Sequence, residues 1–367
     1  MSAGGVSPSA VLGREVVELG EERFAGYLAG ARVLVTGAGG SLGRALARRL
    51  TGIGVETLVL VDQGEAALAE AHDELGHLDP GVRVVAVLAD LRSASRSRAL
   101  LAEHAPEAVF HAAAYKVVPL VEASPLEAVA TNVLATEALV DASLEAGVAR
   151  FVLFTTDKAV RPVSVLGRTK AAAECIVGTA ARRADLARFA CIRLGNVVDS
   201  AGSMLPLVRR RLAADRPVPI TDARVTRYLM TADEAVALAV AAGGLAGSGE
   251  VFRLDMGPPV RVLDAARTVA EASANGHGAT IELVGLRPGE KLHEELDEPG
   301  EPVERVGREP IFRSAARYAD ADWLAGRLDG LRAAVTGADA LAARRELARL
   351  VAGIRIADRL PEPVGPV

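Results

Sequence analysis

The sequence predicts an α/β protein: a doubly wound parallel sheet with helices on both faces and a smaller mixed α/β lobe attached to it. Three observations carry that expectation. Short apolar, often β-branched runs alternate with stretches of helical composition from residue 33 to about residue 154. A glycine-rich turn follows the first of these runs, and an acidic residue ends the second. After Asn196 the alternation loosens, so the second half does not simply repeat the first.

The elements follow in order. Residues 11–30 mix polar and apolar side chains at helical spacing and form a lead-in. Strands are expected at 33–35, 57–61, 82–88, 108–110, 151–154 and 189–194, with helices at 41–50, 66–75 and 126–146 between them. Further on, 205–214, 232–242 and 262–272 read as helices, and 251–254 and 281–284 as strands. The Ala/Leu/Arg-rich stretch 320–354 contains no proline and reads as two helices. The division that results is a lead-in at 1–30 and a Rossmann-type dinucleotide domain at 31–200, its sheet completed by parts of 215–260. Residues 201–360 form mainly a substrate-binding lobe and the C-terminal helices. A ligand cleft belongs between the two, at the carboxyl ends of the parallel strands.

Bulk properties narrow the function. The 367 residues are 50% hydrophobic and 24% charged with a net charge of −5, which argues against a nucleic-acid binder. No apolar run approaches the roughly 18 residues of a membrane span, and the first eight residues lack a signal-peptide pattern. Cys175 and Cys191 match no metal spacing, so no metal is expected and both are read as reduced core residues of a cytoplasmic protein. Of 42 basic residues only Lys116, Lys158, Lys170 and Lys291 are lysine. Arginine cannot lose its proton near neutral pH and lysine can, so the rare lysines are candidates for chemistry.

The motifs sharpen this. Gly37, Gly40 and Gly43 in the run 36–43 permit, in turn, a tight turn, close approach of a pyrophosphate, and close helix–strand packing. The helix start behind them offers free N–H groups to phosphate. Asp62, ending the second strand, can accept hydrogen bonds from the adenosine ribose and would repel a 2′-phosphate, favouring NAD over NADP. Asp90 is placed to meet the adenine amino group. Ala112 and Ala113, after His111, let the backbone pass close to the cofactor. Ser41, Leu42, Leu91, Lys116, Asn132 and Lys170 complete the expected cofactor set. Thr156, Asp157 and Lys158 end the strand 151–154 with one potential acid and one potential base, although an ion-paired strand end fits the same residues. Lys170 stands where a Tyr-x-x-x-Lys pair would place its amine, but Leu166 replaces the tyrosine.

With these residues the chain resembles the extended short-chain dehydrogenase/reductases. More narrowly, it is similar to the inverting UDP-N-acetylglucosamine 4,6-dehydratases and related capsular polysaccharide biosynthesis proteins. The resemblance runs from about residue 12 to residue 354 through 12–15, 111–122, 157–160, 195–198, 226–228, 254–257 and 285–291. It implies a soluble catalytic part acting on a UDP-linked or related nucleotide sugar and assembling as a homo-oligomer. It also implies a chemistry. NAD(P)⁺ takes a hydride from sugar carbon 4, a base removes the carbon-5 proton, and an acid assists loss of the carbon-6 hydroxyl. The hydride then returns to carbon 6 and a proton returns to the opposite face of carbon 5. In that scheme Lys158 is the carbon-5 base and Asp157 the acid. Thr156 bonds the carbon-4 oxygen, and Lys170 holds the nicotinamide ribose. Asn196, Ser203, Arg227, Arg287 and Glu290 bind the nucleotide sugar together with Tyr115 and Lys116.

Departures from the family pattern fall at Leu166, at Tyr115 and Val117 in the run after the alanines, and at Ala201. Tyr115 is expected to face the sugar or nicotinamide and to stand in partly for the missing phenol. The alternatives are an epimerase on the same scaffold, acting at carbon 4 or carbon 5 without net loss of water, and a non-catalytic NAD-binding protein.

Overall fold

The computed structural model describes residues 6–20, 23–183, 187–247, 249–273 and 280–360. A nine-stranded sheet forms its centre. Seven strands are parallel: β1 (Arg32–Thr36), β2 (Thr57–Asp62), β3 (Arg83–Leu88), β4 (Ala108–His111), β5 (Arg150–Thr156), β6 (Arg188–Leu194) and β7 (Val251–Leu254). Their spatial order is β3-β2-β1-β4-β5-β6-β7, so the winding reverses between β1 and β4. Ligands bind such sheets at that reversal, outside the carboxyl ends of the strands.

Two more strands, β8 (Val303–Arg305) and β9 (Ile311–Ser314), add antiparallel to the β7 edge. From sequence, 303–314 is expected in the lobe. Each strand has only three or four residues, too few for an alternation to register.

Strand alternation divides the apolar side chains between two cores. Val33 and Val35 of β1, with Val152 and Phe154 of β5, pack with α1 (Ser41–Ile53) on one face. Leu34, Phe151 and Leu153 pack on the other face with α2 (Ala135–Glu145) and α3 (Val165–Ala181). Helix α4 (Ala232–Leu245) returns to the first face and buries nearly all its residues, as its continuous Ala/Val/Leu run requires. The expected helix 126–146 is interrupted: a π-helical turn at Ala130–Leu134 precedes α2 and aims Asn132 at the chain near Tyr115. The C-terminal stretch forms two helices, Ala321–Thr336 and Ala340–Ala352.

A third core belongs to the lobe, where Val11 and Leu12 of the lead-in meet Leu205, Val208, Val218, Ile220 and Val269. Arg14 ties the lead-in to α4 through Glu234, at 2.6 Å. Both cysteines are buried and free. Among the described residues no helix is long and apolar enough to cross a membrane.

Candidate active site

The turn after β1 is packed so closely that only glycine fits. Gly37 has φ +67°, and a Cβ there would lie 2.7 Å from the Ala113 nitrogen; one on Gly43 would lie 2.1 Å from the Gly37 carbonyl oxygen. The N-terminus of α1 is therefore packed against the ends of β1 and β4, and a helix start has N–H groups with no intrahelical partner. A cavity of about 170 Å³ opens above it, lined among others by Gly37, Gly40, Asp62, Asp90, Leu91 and Ala113. Asp62 already accepts from the Gly39 and Gly64 N–H groups, at 3.0 and 2.8 Å, which fixes its carboxylate at the strand end. Asp90 is gripped by the Arg92 side chain, whose hydrogen bonds hold its carboxyl below the usual range. The glycine-rich turn, the helix start behind it and a fixed carboxylate at the next strand end fit the pyrophosphate and ribose of a dinucleotide.

The larger cleft, about 380 Å³, continues from this cavity and shares Ala112 and Ala114 with it. Leu42, Lys116, Thr156, Lys158, Lys170, Asn196, Ser203, Arg227, Arg287 and Glu290 all line it, so the structure brings together most residues singled out from sequence. The end of β5 turns into a short 3-10 helix at Asp157–Ala159. Asp157 is fully buried, and its Oδ1 accepts from the Thr156 hydroxyl and from Lys158 Nζ, both at 2.9 Å. Its Oδ2 has no hydrogen-bond partner among the described residues. Lys158 Nζ also donates to Asn196 Oδ1 at 3.0 Å. Lys170 donates to the Phe154 carbonyl at 3.0 Å, and burial, against the pull of Glu174, lowers its amine to about 8. Lys116 donates to Ser200 at 3.2 Å, and burial lowers its amine too.

Several expected binders are placed differently from the sequence expectation. Tyr115 lines the smaller cavity, with its hydroxyl 3.4 Å from Gln63 Nε2, and does not line the large cleft. The expectation that it faces the sugar or nicotinamide from the large cleft is not met by this placement: Asn132 grips its backbone N–H and carbonyl and fixes the chain there. Asn132 is itself buried and spent on this grip and on Thr169. The Arg227 guanidinium is committed to the Thr226, Lys291 and Leu292 carbonyls and to Glu290. It therefore shapes the cleft wall. Arg287 has no side-chain partner among the described residues and remains available to an anion. Ser203 donates to the Val198 carbonyl, and Ser41 accepts from the Ala201 N–H, which fastens the 200–203 turn over the start of α1.

Sequence reasoning missed one residue. Glu294 lines the cleft, is 6% exposed, and lies 3.7 Å from Lys158 Nζ and 3.6 Å from Lys291 Nζ. Its segment has no periodicity, and only its place three residues after Lys291 hinted at the site.

Residues 33–316 match the family described as polysaccharide biosynthesis proteins. The chain is 38% identical over 305 residues to the capsular polysaccharide biosynthesis protein CapD of Staphylococcus aureus, covering 83% of this chain and 51% of that one. It is 32% identical over 210 residues to a UDP-N-acetylglucosamine 4,6-dehydratase (inverting) of Campylobacter jejuni, covering 56% and 60%. The chain thus spans about half the length of the first of these relatives. A solved structure of Pen from Bacillus thuringiensis superposes with a TM-score of 0.73 at 27% identity, over 78% of this chain and 88% of that one.

Proposed function

Because this chain belongs to the polysaccharide biosynthesis protein family, we propose that it is a nucleotide-sugar 4,6-dehydratase acting, with inversion at carbon 5, on UDP-N-acetylglucosamine or a related nucleotide hexose. The observation that carries this reading is the Asp157–Lys158 pair. At the end of β5, beside the dinucleotide cradle, an amine that lines the cleft meets at 2.9 Å a carboxylate with one unpartnered oxygen, buried directly behind the cleft wall.

NAD, held by the turn 37–43 and by Asp62, would supply reversible oxidation at sugar carbon 4. Asp62 favours NAD over NADP, since a fixed carboxylate repels a 2′-phosphate. The chain does the proton chemistry. Thr156 positions the carbon-4 oxygen, and Lys170 would hold the nicotinamide ribose. Lys158 removes the carbon-5 proton, made acidic by the neighbouring ketone, and Asp157 protonates the departing carbon-6 hydroxyl. One elimination leaves a proton gained on Lys158 and one lost from Asp157, and their direct contact returns it. Arg287 is the open cation for the diphosphate.

The test is to incubate the protein with a panel of nucleotide sugars and weigh the products. Loss of about 18 Da, one water, from UDP-N-acetylglucosamine supports the reading. A new isomer of unchanged mass would make the protein an epimerase instead.

A further inference from the structure

The proposed reaction leaves one proton unassigned. Oxidation at carbon 4 must remove the proton of the carbon-4 hydroxyl, and Leu166, apolar and 3% exposed, stands where a tyrosine base is expected. Glu294 is the unassigned buried carboxylate on the cleft wall. The other glutamate lining the cleft, Glu290, is engaged by Thr221 and Arg227.

We propose that Glu294 is the base that takes the carbon-4 hydroxyl proton, in place of the phenol that Leu166 lacks. This rests on the dehydratase reading above. Three observations support it. First, Glu294 Oε2 makes no hydrogen bond among the described residues and has only the Lys291 ammonium, at 3.6 Å, beside it, so a buried carboxylate oxygen keeps its acceptor capacity next to the cleft. Second, its Oε1 lies 3.7 Å from Lys158 Nζ. The carbon-5 hydrogen and the carbon-4 hydroxyl are neighbours on one ring, so bases acting on them must hold their accepting atoms only a few ångströms apart. The same separation is too short for the two groups to face carbon 5 from opposite sides. Third, the segment bearing Glu294 is clamped. Arg193 donates to the Leu296 carbonyl and to Glu301, Arg253 pairs with Asp297, and Arg317 pairs with Glu298.

The surroundings suit a base. Burial raises the Glu294 carboxyl, and nearby Asp157 pushes the same way, while Lys158, Arg227 and Lys291 oppose them. A carboxylate tuned upward from its ordinary value is a stronger proton acceptor at neutral pH.

The protons balance. The O–H bond at carbon 4 breaks, an O–H bond forms on Glu294, and the electron pair of the carbon-4 C–H bond goes to the bound nicotinamide. The proton stored on Glu294 leaves to solvent, and solvent supplies the one that carbon 5 takes up on its opposite face, so the carboxylate is restored each turnover.

The experiment measures water loss from UDP-N-acetylglucosamine across pH for the wild type, Glu294→Gln, Glu294→Asp and Glu294→Gln combined with Leu166→Tyr. The amide should cost about 100-fold or more and abolish the acid-side limb of the pH profile. Asp should keep a measurable rate and the limb, and restoring the phenol at 166 should recover at least about tenfold. A Glu294→Gln enzyme with the wild-type rate and profile would overturn the proposal. So would an equal loss in Gln and Asp at every pH, the mark of a structural role. If the wild type dehydrates no nucleotide sugar, the dehydratase reading falls, and this role with it; failure of Glu294 alone leaves that reading standing.

Discussion

Two clusters of buried charge, one packed against β5 and β6 and one at the carboxyl end of β5, differ in kind. In the first, Glu174 is fully buried with both oxygens used. Thr155 and Arg193 donate to Oε1, Arg193 donates to Oε2, and Arg317 lies 3.3 Å away. In the second, Asp157, Lys158, Glu294 and Lys291 form a row of alternating charge in which Asp157 Oδ2 and Glu294 Oε2 lack hydrogen-bond partners. The first cluster takes its cations from arginine, which holds its proton, and the second from lysine, which can release it. Burial of charge therefore does not by itself mark a site in this molecule. Nor does an unpaired atom, since Arg317 Nε and Glu301 Oε1 of the first cluster also lack hydrogen bonds; the exchangeable proton of lysine at the cleft wall does.

The sharpest way to break this comparison is one substitution in each cluster. Lys158→Met should reduce water loss by about 1,000-fold, within the range expected for an acid–base residue, while the thermal midpoint shifts little. Glu174→Ala should do the reverse. It strands Arg193 and Arg317 in the interior and should cost about 3–5 kcal/mol of stability, read by denaturant unfolding. If Lys158→Met destabilises as much as Glu174→Ala, the distinction fails.

Acid sensitivity sharpens the scaffold side. His111 is buried between the Thr36 and Thr136 hydroxyls, and burial, with Lys170 nearby, lowers its imidazole to about 3. The unfolded chain, titrating near 6.5, then binds the proton that the folded chain refuses. Stability is thus whole above about pH 6.5 and falls as the pH drops from there toward 3, by about 3 kcal/mol at pH 4. Unfolding curves for the wild type and His111→Gln should converge with falling pH. Parallel curves would contradict the assignment.

The smallest expected effect is at Tyr115. Since the ring lines the smaller cavity, Tyr115→Phe should leave turnover unchanged and weaken NAD binding by about two- to threefold, the value of one modest hydrogen bond. A large fall in turnover would return the phenol to the sugar.

Much of this was legible in the sequence because it depends on local pattern. The glycines of 37–43 are forced by contacts within one β–α turn and its neighbouring strand end, and the apolar runs at 57–61 and 151–154 are strands buried on both faces. The pair Asp157–Lys158 is adjacent in sequence, so its chemistry could be read directly. What escaped was set by distant partners. Glu294 meets Lys158 across 136 positions of chain, and nothing local marks it. Arg227 is expected from sequence among the nucleotide-sugar binders, and only the fold shows its donors committed to the 290–292 segment. Tyr115 was placed toward the sugar by its neighbours in sequence, whereas Asn132, from a π turn that no periodicity announces, fixes its backbone at the other cavity.

The most direct test of the central claim is turnover of UDP-N-acetylglucosamine in heavy water, with carbon 5 of the product examined by mass spectrometry and NMR. The account predicts loss of one water and a solvent deuteron at an inverted carbon 5 in the wild type, with both absent in Lys158→Met. Water loss with the original hydrogen retained at carbon 5, or undiminished in Lys158→Met, would contradict it.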